Sequence, residues 1–132
     1  MKNSIFTLTF FLIALISSLQ LTAQSFKDLD KSPMDVAAFP SSYKISDKTV
    51  KVIYSRPQLN GRDLVKLAPP EMVWRTGANE AAEITFYKDV IFGGKALKAG
   101  TYSLFTIPSF DGDWTVIINS ARNVWGSYYY KQ

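Results

Sequence analysis

Hydrophobic positions divide the chain into one long apolar run and a series of short alternating stretches. Residues 5–16 are almost wholly apolar. After them the period drops to two. In residues 49–55, Val50, Val52 and Tyr54 face one way, and Thr49, Lys51 and Ser55 face the other. Ile53 breaks the polarity but suits a strand covered on both sides. Pro57 ends this strand, because it cannot donate to a ladder. Residues 81–87 set Ala82, Ile84 and Phe86 against Glu83, Thr85 and Tyr87. Residues 90–92 predict a short strand, Gly93-Gly94 a tight turn, and residues 95–97 the return. Residues 101–107 are the clearest strand, stopped by Pro108. Residues 114–119 predict its hairpin partner, across a turn at Asp111-Gly112-Asp113. Asn60-Gly61 is a turn pair that tolerates positive φ, residues 63–67 predict one helical turn, and Ala68-Pro69-Pro70-Glu71 is non-helical. Residues 25–42 show no sustained period and contain Ser32-Pro33 and Phe39-Pro40. They read as an arm with at most one helical turn, pinned by Met34, Val36 and Phe39. Short strands, frequent turns and no long amphipathic helix predict an all-β fold, an antiparallel β-sandwich or a barrel-like domain.

The apolar run changes this picture at one end. Lys2 precedes it, no further charge occurs before Lys27, and Leu21-Thr22-Ala23 offers a small residue for cleavage. That order predicts a secretory signal peptide over residues 1–23 with Gln24 as the mature start. The alternative is an uncleaved anchor, but Ser17, Ser18, Gln20 and Thr22 dilute a stretch that would need about 20 apolar residues to span a bilayer. The expected organisation is a signal peptide at 1–23, an N-terminal arm at 24–42 and one β domain at 43–132. The expected location is periplasmic or secreted, with no membrane span after cleavage. Length agrees, since 132 residues suffice for one domain.

Composition mainly excludes. There is no cysteine and no histidine. Disulfides, thiolate nucleophiles, thiolate metal sites and a lipid-bearing cysteine are ruled out. So are His-based triads and His-containing zinc motifs. No cofactor is predicted. Loss of residues 1–23 would remove Lys2 alone among the charges, taking the formal net charge from +4 to +3. The remaining charges are interspersed, without the basic footprint of a nucleic-acid partner.

Candidate chemistry concentrates at Val73-Trp74-Arg75-Thr76-Gly77-Ala78-Asn79-Glu80, a loop or strand edge with Gly77 as its flexible point. With Arg56 and Arg62 it offers a ligand-binding set of Arg56, Arg62, Trp74, Arg75, Asn79 and Glu80. Arginines near turns suit carboxylate or phosphate, a tryptophan can stack on a sugar face, and an asparagine both donates and accepts. The same residues admit a structural reading, with Arg75 and Glu80 paired to each other or to backbone, and Trp74 in the core. Glu80 and Glu83 are the candidate acid/base pair for a hydrolase, although Glu83 reads by default as an exposed strand residue. Asp111-Gly112-Asp113 is a turn rather than a calcium loop. Ser55 and Ser103 lack a histidine and would need Lys51 or Lys98 as base. The Tyr128-Tyr129-Tyr130 run reads as strand residues alternating across a sheet, or as a binding platform.

Several blocks, taken in order, resemble a known family. They are Tyr54-Ser55-Arg56-Pro57, Asn60-Gly61-Arg62, residues 73–80, residues 99–108 and Trp125-Gly126. Their order and spacing resemble the DUF2911 family of exported proteins, found largely in Bacteroidetes-type bacteria. The resemblance covers roughly residues 32–132. It implies a secreted or periplasmic domain and one that ordinarily continues past the Trp-Gly block. It implies no activity. The expected function is a non-catalytic cell-envelope module that binds a small polar or anionic ligand or a saccharide. The alternatives are a protein-interaction or structural domain, docking an envelope protein partner or closing a homo-oligomer, and a carboxylate-dependent hydrolase.

Overall fold

A computed structural model describes residues 26–127. The expected signal peptide and Tyr128 to Tyr130 lie outside the described residues. Among the described residues, seven strands and one helical turn follow in chain order: β1 (Met34–Phe39), β2 (Val50–Ser55), α1 (Leu64–Leu67), β3 (Ala78–Phe86), β4 (Val90–Phe92), β5 (Lys95–Leu97), β6 (Gly100–Ile107) and β7 (Thr115–Asn119). β1, β2, β3, β6 and β7 form one five-stranded sheet in that spatial order, every neighbour antiparallel. β4 and β5 form a separate two-stranded ribbon. The domain is therefore all-β and antiparallel. The sheet is open rather than closed into a barrel, and the ribbon reaches across one face in a sandwich-like manner.

Register settles which side chains share a face. Val50 lies opposite Phe86, Val52 opposite Ile84, and Ile84 opposite Tyr102. Directly paired residues point the same way, so the apolar faces of β2, β3 and β6 coincide as their alternation predicts. Phe86 packs against the Phe92 ring of β4 at 5.8 Å and the Tyr102 ring at 6.3 Å. That contact holds the ribbon on this face. On the opposite face, Glu83 lies opposite Ser103, and Thr85 bonds Thr101 through their hydroxyls at 2.8 Å. Residues 121–125 cross this second face. The Ser103 hydroxyl donates to the Ala121 carbonyl at 2.6 Å, the Asn123 amide donates to Glu83 Oε1 at 3.0 Å, and the Ala81 amide donates to the Val124 carbonyl at 2.9 Å.

One element departs from the sequence reading. The second half of the expected arm is β1, paired along its whole length with β2. Its six residues are largely exposed on both sides. An edge strand with no buried face carries no two-residue alternation, so the pattern that betrays a strand is missing. The helical turn and the Asn60-Gly61 turn occur where expected, with φ of 50° and 75° at the two turn residues.

The ribbon is clamped at its base. Asp89 accepts from Lys98 Nζ at 2.7 Å and from the Ala99 amide at 2.9 Å. The lysine, then the amide, hold its carboxyl below the usual carboxylate range. The folded pKa thus lies below the unfolded one. The clamp is complete above the unfolded value of about 3.9 and is lost as pH falls through the folded value. A titration from pH 5 to pH 2 should move the Ala99 amide resonance with a midpoint below that of a free aspartate. Asp89→Asn should abolish the step, and a midpoint at or above about 3.9 would contradict the clamp.

Candidate functional site

Residues 73–81 are knitted into three neighbours. Trp74 occupies the lane beside β6: its amide donates to the Thr106 carbonyl at 2.7 Å, and the Thr106 amide returns a bond at 2.9 Å. The Arg75 carbonyl accepts from the Ala82 amide at 3.0 Å. Between these anchors the chain swings out toward β2, where Ala78 lies opposite Ser55. It then turns back so that Glu80 pairs with Trp125. The β2–β3 register accordingly breaks between Ile53 and Ser55, as a bulge does when extra residues are inserted into one strand.

Gly77 is not the left-handed point of this loop. Thr76 and Asn79 both have φ of 58°. For a β-branched threonine that conformation is unusual, and such strain costs on the order of 1–3 kcal/mol. Neighbouring bonds hold it: Thr76 Oγ1 lies 3.2 Å from Thr106 Oγ1. Gly77 sits at a close approach to β2 instead. A Cβ there would sit 3.2 Å from the Ser55 carbonyl oxygen.

The predicted binding set does not converge on one point. Glu80 and Glu83 line a single cleft of about 240 Å³, whose lining also includes Met34, Ile53 and Asn123. Glu83 spends one oxygen on the Asn123 amide, while Glu80 is exposed. Trp74 belongs to the opposite face. It is paired with Thr106, on the Leu104 side of β6, and meets the Trp114 ring edge-on at 6.2 Å. Arg75 reaches the Gly77 carbonyl within its own loop, Nε to O 3.4 Å, so it pairs with backbone and not with Glu80. Arg56 sits 3.5 Å from Asp35 of β1. Arg62 turns back on the Gln58 and Leu59 carbonyls at 2.8 and 2.9 Å. It locks the Asn60-Gly61 turn.

Asn79 contacts a residue outside the predicted set. The Ser32 amide, at 2.7 Å, and then the Asn79 side chain hold the Asp30 carboxyl below its ordinary value. Ser103 is wholly buried, and its hydroxyl is committed to Ala121. Lys98 is likewise committed to Asp89, so neither supports nucleophilic serine chemistry. Asn123 has no signal in the sequence, because only the crossing of residues 121–125 brings it to Glu83. Among the described residues no group of three or more acidic side chains is placed to hold a metal ion. No described helix is long and apolar enough to cross a membrane.

The fold and cleft define an antiparallel β-sheet domain whose strained loop is stitched between a strand end and a crossing C-terminal segment. The chain belongs to the DUF2911 family, described as a protein of unknown function, whose model matches residues 32–132. No curated protein and no solved structure matches it.

Proposed function

We propose that this chain is an exported cell-envelope module that binds a small polyhydroxylated ligand, a saccharide unit, at the cleft between Glu80 and Glu83. The observation that carries this reading is the lining of that cleft. Among the described residues, two carboxylates supply acceptors, Met34 and Ile53 supply apolar wall, and no cationic side chain lines the cleft. Sugar hydroxyls donate to carboxylates, while an anion would be repelled by them. Arg56 and Arg62, the groups an anion would need, are engaged elsewhere. The volume is below the range of about 300–1,000 Å³ usual for drug-sized ligands, which favours one sugar ring over a long chain. Export is supported by the order of Lys2, the apolar run and Ala23.

The test is an NMR titration of the purified protein with neutral sugars, amino sugars and small anions. Sugars should shift the amides of Glu80, Glu83 and Asn123, and anions should not. Glu80→Gln should weaken the bound sugar about tenfold or more, the worth of a hydrogen bond to a charged acceptor. No shift at these amides with any sugar at roughly 50 mM, a concentration that detects even millimolar binding, would dispose of the proposal. Hydrolysis is the second reading, favoured by two carboxylates on one cleft. It predicts nitrophenol release from nitrophenyl glycosides that Glu80→Gln abolishes.

A further inference from the structure

The five-stranded sheet ends in two edges that are finished differently. β1 is flanked by Pro33 and Pro40 and carries Asp35. Proline and charge are common guards against edge-to-edge pairing. β7 has the sequence Thr-Val-Ile-Ile-Asn, without proline or charge. Among the described residues, no backbone bond reaches β7 from its outer side.

A groove of about 660 Å³ runs beside this unguarded edge. Val116, Ile117 and Ile118 all line it. Val116 and Ile118 lie opposite Thr106 and Leu104 and so share the ribbon's face, and Ile117, on the other face, completes the run along the strand. Phe92 and Leu97 of the ribbon form its other wall, and Lys95 is the one charged lining residue among the described residues. Lys95 is exposed and makes no ion pair among the described residues.

We propose that this groove accepts an extended segment of a partner protein as a sixth strand beside β7. Main-chain bonds to the open edge would supply affinity, and the groove would read alternate side chains. Apolar side chains of the segment lie against Phe92, Leu97 and Val116, and one carboxylate meets Lys95. A second copy of this chain is a poorer occupant. Its own β7 contains no carboxylate, so pairing β7 with itself leaves Lys95 unanswered. The site is separate from the Glu80–Glu83 cleft, whose lining shares no described residue with it.

The experiment titrates the purified protein with two capped heptapeptides of alternating valine and threonine, one with a central glutamate and one with a central lysine. Both should shift the amides of residues 115–119. The glutamate peptide should bind about threefold to fivefold more tightly, the value of a partly exposed ion pair. Lys95→Glu, a surface change, should reverse that preference, and Ile117→Lys should weaken both peptides. Equal affinities, or a preference that survives Lys95→Glu, would overturn the charge assignment. If neither peptide shifts β7 at roughly 2 mM, the strand-acceptor proposal is wrong. Dimerisation lost in Ile117→Lys would make the occupant a second copy, and shifts with dodecanoate alone would make it an acyl chain; either result overturns the partner segment.

Discussion

Phe105→Ala is expected to destabilise the protein by about 3–5 kcal/mol, the usual cost of emptying a large aromatic site in a core. Phe105 is 1% exposed and is the largest fully buried side chain among the described residues. Ala82, Ile84 and Phe86 are also buried, but register places them on the opposite face of the sheet. Ala81, buried on the side of Phe105, has no side chain long enough to swing into the vacancy. A domain of this size has only about 5–15 kcal/mol of total stability. The unfolding midpoint should drop by at least roughly 12 °C, at about 4 °C or more per kcal/mol. Phe105→Leu, which keeps most of the volume, should recover more than half of the loss. A Phe105→Ala midpoint within about 3 °C of wild type would show that this side of the sheet is not packed as described.

Trp74→Ala should cost roughly half as much yet leave ligand binding alone. The ring is half-buried, so the expected cost is about 2 kcal/mol rather than the full value for a buried tryptophan. About 0.5–1.5 kcal/mol of it should belong to the edge-on contact with Trp114. A double-mutant cycle with Trp114→Ala isolates that share. Trp74 lies on the face of the sheet opposite the Glu80–Glu83 cleft, so sugar affinity should change less than about twofold in a variant that remains folded. A loss of affinity of about tenfold with an unchanged midpoint would return Trp74 to the ligand site as a stacking platform.

Most of the scaffold is legible because each part is written in local chemistry. Val50, Val52, Ile84 and Phe86 alternate because one face of each strand is covered, and Gly93-Gly94 turns because glycine accepts the positive φ found there. The candidate site is legible only in part. Glu80 and Glu83 stand out as carboxylates and do line one cleft. Trp74 falls near them in sequence but supports the far face, and the more distant Arg62 caps its own turn. Gly77 reads as a hinge, whereas the left-handed positions are Thr76 and Asn79. A glycine at a close approach and a glycine needed for φ look the same in a sequence.

The sequence by itself determined the β class, most strand and turn positions, the absence of thiol and imidazole chemistry, and the family. These follow from residue type and short-range periodicity. Tertiary structure alone decided that Met34–Phe39 is an edge strand, since its neighbours in space are residues 50–55 and it buries no face of its own. It alone decided that residues 121–125 cross the sheet to reach Ser103, Glu83 and Ala81. It also decided which polar residues share a cleft. Those facts rest on contacts between residues about 11–43 positions apart, from Phe39 with Val50 to Ala81 with Val124. Such pairings are selected by the packing of the whole sheet and leave no periodic trace along the chain.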